Sequence, residues 1–359
     1  MYGLYIHIPF CRQKCNYCDF VSYSGKQDLV DVYLDALRME LNRYAGKPII
    51  SVYVGGGTPS LLSPGQIKEL FKTIRKIFNC FHLSEITFEA NPESLNDDVL
   101  GALKVAGVNR LSIGAQSFSE QNLKFLGRIH SASAAAKAVK AARKHHFSNI
   151  SIDLIYGMPG QLPLEWQSDL KQAVSQNPEH ISVYPLTIEQ NTPMFAAGVT
   201  TDEDKQAELY EWAMDYLHST GYEHYEISNW ALTGYKCSHN LIYWNNKEYI
   251  GAGIAAASYF NGSRYKNCES IEEYIEKSKS GESAIAETEH IDDKIKMSEE
   301  MILKLRCSAG IEVSDDIISK FGETINRFIE QQLLERRDKR IRLTRRGLIL
   351  ANHVMREFV

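Results

Sequence analysis

Three cysteines fall within eight residues, in the string CRQKCNYC that carries Cys11, Cys15 and Cys18. The other four of the chain's seven, Cys80, Cys237, Cys268 and Cys307, are scattered. An odd, clustered set in a long chain points to metal ligation in a reducing compartment rather than to a disulfide framework. Three thiolates leave a structural zinc one ligand short, and no second Cys-x-x-Cys pair completes it. His7, on the preceding apolar run, is the nearby side chain that could. A four-iron cluster held by three cysteines instead keeps one iron open to an outside ligand, and soft thiolates favour that chemistry.

Further polar groups stand where apolar runs end. The string GGGTP places Gly55, Gly56, Gly57 and Thr58 after one run. Consecutive glycines let a ligand approach the backbone closely. Glu89 and Asn91 close the next run, Gln116 and Ser117 the one after, Arg128 follows in LGR, and Asp153 sits inside SIDLIYG. A carboxylate within an apolar strand is costly unless bonded. Several polar groups converging on one sheet end mark a binding site better than any one of them. A third string, CSHNLIYW, carries Cys237, His239, Tyr243 and Trp244. Its imidazole and thiol are metal-ligand types, and its aromatic rings could pack on a flat ligand. The competing reading makes His239 a hydrogen-bonded junction residue and the aromatics part of the core.

Short β-branched runs at residues 4–9, 50–54, 85–90, 110–115, 150–155 and 180–186 read as strands. They alternate with helix-like segments at 29–44, 64–78, 97–106, 132–146, 163–175 and 202–220. Ser63 with Pro64, and Asn96 with Asp97, supply helix starts. Strict alternation predicts parallel strands with right-handed crossovers. The expected fold is α/β, with a partial (β/α)6 TIM-like barrel; a doubly wound open sheet is the alternative arrangement. In a barrel the loops at the C-terminal strand ends carry the chemistry. From about residue 222 the alternation stops. Strands are expected at 222–228 and 258–266 and helices at 271–280, 292–307 and 314–321. A helix, turn, short strand and helix at 323–332, 340–343 and 346–358 complete the chain. The expected division is a core at residues 1–230 and a smaller α+β domain at 231–359 whose end looks like a winged helix.

With 359 residues, 44% of them hydrophobic, the chain can bury one large core and a smaller one. A net charge of −5 from 40 basic and 45 acidic residues predicts no global attraction to nucleic acid or anionic membrane. The locally basic run at 335–346 reads as a solvated hairpin rather than a DNA-binding wing. The first residues lack the pattern of a secretory leader, and no apolar stretch is long enough to span a bilayer, so a cytoplasmic protein is expected.

The Cx3Cx2C spacing after YIHIPF, with Tyr17 between the last two cysteines, resembles the radical S-adenosylmethionine (SAM) superfamily. The resemblance implies a [4Fe–4S] cluster on Cys11, Cys15 and Cys18. Its open iron would chelate the amino and carboxylate groups of SAM, whose reductive cleavage gives a 5′-deoxyadenosyl radical. GGGTP resembles the glycine-rich element that binds the methionine end of that cofactor. With the strand-end residues, the sequence is similar to the porphyrin-related branch, oxygen-independent coproporphyrinogen III dehydrogenase and its relatives. That resemblance implies SAM contacts from Tyr5, Gly56, Gly57, Thr58, Glu89, Gln116, Arg128 and Asp153. Tyr17, Gly57, Thr58, Gln116, Arg128 and Asp153 match positions near a second SAM, so one or two molecules are implied.

Two features depart from the dehydrogenase. Phe20 stands where it has a fourth cysteine, and only ten residues precede Cys11 where it has a long extension. Both argue against oxidative decarboxylation of coproporphyrinogen. The HNxxYW string resembles the HemW-type heme chaperones, which bind heme and pass it to acceptor proteins. It implies heme as cargo near His239, Tyr243 and Trp244, with respiratory hemoproteins as acceptors, an electron donor and a homodimer. The expected function is a heme chaperone carrying a [4Fe–4S] cluster and SAM. The alternative is the dehydrogenase, or another radical enzyme acting on a tetrapyrrole.

Overall fold

Residues 1–359 are described in a computed structural model. Each of the six predicted strands forms. They are Tyr2–Ile8 (β1), Ile49–Gly56 (β4), Glu85–Ala90 (β5), Arg110–Gln116 (β6), Ile150–Tyr156 (β7) and His180–Pro185 (β8), with a two-residue ladder of Phe10–Cys11 (β2) and Tyr23–Ser24 (β3) between the first two. Helices Val30–Asn42 (α1), Pro64–Ile77 (α2), Asp97–Val105 (α3), Glu120–Leu126 (α4), Ala132–Lys144 (α5), Pro163–Ser175 (α6), Pro193–Ala196 (α7) and Glu203–Ser219 (α8) follow the strands. Ser63 accepts from the Gln66 backbone N–H in a capping box, and Asn96 accepts from Val99 N–H. The short helices α4 and α7 fall in segments to which the sequence assigned no element.

The six strands are parallel and neighbour one another in chain order. No reversal of order occurs, so the winding is that of a barrel and not of a doubly wound sheet. The barrel stays open. Beyond β8 lies an antiparallel pair, Glu223–Glu226 (β9) and Asn229–Ala231 (β10), where a single strand was expected. Beyond β1 comes Tyr249–Ala252 (β11), which is parallel to it, with Gly3 opposite Tyr249. Ala257–Phe260 (β12), Ser263–Asn267 (β13) and Ile285–His290 (β14) extend that edge antiparallel. The strand expected at 258–266 is thus a hairpin. Asn261 and Gly262 both take positive φ, 52° and 70°, the signature of a two-residue type I′ turn.

One sheet therefore crosses residue 230, and the helix Ser238–Trp244 (α9) follows that point. A second hydrophobic core begins near Met301 and includes Leu305, Ile325, Phe328, Val354 and Phe358. It lies among helices Asp293–Leu305 and Asp315–Glu330, two short helices at Arg345–Ile349 and Ala351–Arg356, and a small antiparallel sheet. Two helices expected at 314–321 and 323–332 are one. Gly322 does not break it, because Ile317, Phe321, Ile325 and Phe328 hold one buried face across the glycine.

Side chains alternate along each strand. Leu4, Ile6, Val52, Val54, Phe88, Leu111, Ile113, Ile152 and Ile181 are buried under the helices. The opposite face, the lumen, carries Tyr5, His7, Ser51, Tyr53, Glu85, Glu89, Arg110, Ser112, Asp153 and His180.

Candidate functional site

The cysteine loop leaves the C-terminal end of β1 and is pinned at several points. Asn16 N–H donates to Leu126 O at 3.0 Å, its Nδ2 donates to Phe125 O at 2.9 Å, and Met194 N–H donates to Asn16 O at 3.1 Å. Gly57 N–H donates to Ile8 O, and Thr58 N–H to Phe10 O, both at 2.8 Å. A Cβ at Gly57 would sit 2.8 Å from Phe10 O, so only glycine lets the end of β4 lie against this loop.

The sulfurs meet hydrogen-bond donors. Thr58 Oγ1 donates to Cys11 Sγ at 3.5 Å, and Arg128 Nη1 to Cys15 Sγ at 3.6 Å. Arg128 Nη2 donates to Asn91 Oδ1 (2.8 Å) and Gly114 O (2.9 Å), while Asn91 Nδ2 donates to Thr58 Oγ1 at 3.1 Å. Asn91 thus ties the two sulfur donors into one network. Burial pushes the Cys11 thiol up and the Cys18 thiol up to about 11, so both are neutral thiols without metal. No three His, Cys, Asp or Glu side chains close around a single ion. His7, the fourth zinc ligand of the alternative reading, is engaged on both ring nitrogens, with Tyr5 Oη at 2.9 Å and Val21 O at 2.8 Å. Three free cysteines around a loop, with cationic and hydroxyl donors on two of them, fit a cluster of several irons.

A cavity of about 580 Å³ joins these residues to the strand ends. It is lined by all three cysteines, Tyr17, Gly56, Gly57, Thr58, Glu89, Gln116, Arg128 and Asp153. Tyr5 lies on the lumen face beside Tyr53, with ring centroids 6.3 Å apart. Glu89 accepts from Tyr53 Oη at 2.7 Å and from Gly56 N–H at 3.1 Å. Burial, with the nearby Asp153 adding to it, raises its carboxyl to about 7. Asp153 accepts from Ser112 Oγ at 2.8 Å and Ser151 Oγ at 3.0 Å. Gln116 ends β6 with φ 63°, at an irregularity in its pairing with β7. A non-glycine residue in the left-handed region at a cavity wall is strain characteristic of ligand sites.

Of the CSHNLIYW string only Asn240 lines this cavity. Helix α9 closes the N-terminal end of the open barrel. Glu85, low on β5, accepts from the first N–H groups of that helix, Ser238 at 2.8 Å and His239 at 2.9 Å. His239 is fully buried. Its Nδ1 bonds Ser51 Oγ and its Nε2 bonds Tyr243 Oη, each at 2.8 Å, and its ring packs on Tyr53. Burial holds its pKa down at about 3. An axial heme ligand needs a ring nitrogen facing open space, and His239 has neither nitrogen free. This is the geometry of the junction reading. Cys237 is likewise buried, its thiol pushed up to about 12 and directed at Glu85 Oε1. Trp244 lies under the Arg306 guanidinium, 4.4 Å from its ring centroid.

Sequence reasoning gave no role to Arg110, which lines the same cavity and is 2% exposed. The signal was present: a charged residue opening an apolar strand, the same cue that singled out Asp153. No helix is long and apolar enough to cross a membrane.

Comparison with known proteins agrees with this architecture. Residues 5–173 match the family described as Radical SAM superfamily, and residues 291–350 the HemN C-terminal domain. A Lactococcus lactis protein named heme chaperone HemW is 37% identical over 99% of this chain and 96% of its own length. A Bacillus subtilis protein of the same name is 35% identical over 100% and 99%. The Escherichia coli protein of that name is 43% identical over 71% of this chain and 69% of its own. Among solved structures, E. coli coproporphyrinogen III oxidase (HemN), a radical SAM enzyme, superposes with a TM-score of 0.86 over 99% of this chain and 89% of that one. At 22% identity that is a likeness of fold.

Proposed function

The chain belongs to the radical SAM superfamily and, within it, to the family of the heme chaperone HemW, and from that premise we propose that it binds heme and delivers it to acceptor proteins. The observation that carries the proposal is similarity over the whole chain, at 35–37% identity, to two proteins of that name. Phe20, in the fourth-cysteine position of the dehydrogenase, supports it. Respiratory hemoproteins are the proposed acceptors, the cytoplasm the proposed location, and a homodimer the proposed working form.

In this proposal Cys11, Cys15 and Cys18 hold a [4Fe–4S] cluster, and the cavity around Tyr5, Tyr17, Gly56, Gly57, Thr58, Glu89, Gln116, Arg128 and Asp153 holds SAM. When bound, the cluster supplies one electron and an iron site open to an outside ligand. The chain's own residues prepare that seat. Arg128 and Thr58 donate to sulfurs whose charge grows on metal binding, which favours the thiolates and draws electron density from them. Glu89 and Asp153 present carboxylate oxygens already oriented by hydroxyl donors. His239, Tyr243 and Trp244 act on heme binding indirectly, by fixing α9 beneath the lumen.

Anaerobic reconstitution with iron and sulfide tests the proposal. Heme should then bind near one per chain, and coproporphyrinogen III should remain unconverted. Turnover to protoporphyrinogen IX with release of 5′-deoxyadenosine would instead make the chain a tetrapyrrole enzyme.

A further inference from the structure

The floor of the cavity holds a charge without a partner. Arg110 opens β6, at the opposite end of that strand from Gln116, and is 2% exposed. Its Nε has no hydrogen-bond partner; burial disfavours its charge, and the neighbouring Cys237 and Glu85 offset that without a hydrogen bond or ion pair to it. A guanidinium cannot shed its charge by deprotonation, and an unpaired buried ion is strongly unfavourable. The groups nearest to it do not pair with it. Glu85 is the carboxylate that acts on it most, but its oxygens accept from the backbone N–H groups of Ser238 and His239 and make no ion pair with the guanidinium. Cys237, Tyr53 and Tyr225 stay protonated, because burial raises all three. The lining of the same cavity includes further hydrogen-bonding groups, Ser182, Ser228 and Asn240.

We propose that this floor is a carboxylate receptor, with Arg110 as its cation and Ser182, Ser228 and Asn240 as its polar wall, below the residues that line the cysteine end of the cavity. A planar guanidinium matches a carboxylate with two parallel hydrogen bonds. The carboxylate has two chemical sources. One is a small free acid. The other is a propionate arm of a tetrapyrrole, and that source rests on the heme-binding proposal above.

Thermal melting of the anaerobically reconstituted full chain distinguishes them, with sodium propionate, sodium succinate, heme and heme dimethyl ester as probes. Arg110→Met and Arg110→Lys are compared with wild type. Without any probe, Arg110→Met melts at or above wild type, because an isosteric apolar side chain replaces an unpaired ion. Millimolar propionate or succinate raises the wild-type melting temperature and leaves Arg110→Met unmoved, while Arg110→Lys keeps a reduced shift. If a tetrapyrrole supplies the group, wild type binds heme about tenfold more tightly than its dimethyl ester, and Arg110→Met binds the two alike. A shift with the free acids alone keeps the receptor and counts separately against the heme reading. Carboxylate responses that are the same in wild type, Arg110→Lys and Arg110→Met overturn the proposal. So does an Arg110→Met protein that melts far below both wild type and Arg110→Lys without probe, since Arg110 would then be structurally paired.

Discussion

The two ends of the open barrel are built from similar residue types and put to opposite uses. At the C-terminal strand ends, Cys15, Tyr17 and Gln116 border open space, and Arg128 and Thr58 direct donors at sulfur. At the N-terminal ends, Glu85, His239 and Cys237 are buried and committed to one another or to the backbone of α9. A motif of chemically capable residues is a site only where its donors and acceptors remain unspent. The cysteine string meets that condition; in the HNxxYW string His239 has both ring nitrogens bonded, and Asn240 alone lines the cavity.

The largest expected effect strikes the open end. Cys15→Ala should lower iron and sulfide loading at least about tenfold while leaving the apo chain's melting temperature close to wild type, because a metal ligand and not a core contact is lost. An apo protein that no longer folds would show that Cys15 belongs to the packed scaffold. The contacts that hold α9 at the other end should respond in the reverse way. Glu85→Ala strands the first N–H groups of α9 in the interior and should cost about 2–4 kcal/mol by chemical denaturation, with iron loading per folded chain unchanged.

Third is a pH dependence. His239 is held at about 3 in the fold, against about 6.5 when unfolded. The unfolded chain therefore binds the extra proton first. The stability this neutral histidine provides is complete above pH 6.5 and is lost as pH falls toward 3, by at most about 1.4 kcal/mol per unit. His239→Gln should remove one proton from the slope of stability against pH. An unchanged slope would mean that His239 is not sealed from solvent. The smallest effect is at Gln116. Gln116→Gly relieves a left-handed residue and should stabilise the apo protein by up to about 1 kcal/mol, while weakening SAM retention measured by equilibrium dialysis.

Much of the scaffold was legible because its signals are local. Six β-branched runs, the Ser63 and Asn96 caps and the alternation of helix with strand each lie within a short window. Strand β11 was not legible. Four residues around Gly251 make a weak strand signal, and the partner that stabilises them is β1, at the other end of the chain. The hairpin at Asn261 and Gly262 was legible in principle, since its two-residue turn has a known signature. For the site, sequence gave residue types and strand-end positions, and the cavity does gather the cysteines with Glu89, Gln116, Arg128 and Asp153. It could not give direction. Whether His239 faces open space or a serine depends on which end of the lumen α9 covers, and that is fixed only by the assembled sheet.

The pairing of β1 with β11 also governs how the chain can be made. β1 is synthesised well before β11, so one of its two edges stays bare until residue 252 has been made. Until then the nascent chain carries a hydrophobic strand with an unfilled edge, the kind of surface that templates aggregation. A polypeptide cut short anywhere before that point retains the cysteine loop but lacks the strand that completes the sheet beside it. Metal loading should therefore follow synthesis of β11 and not precede it.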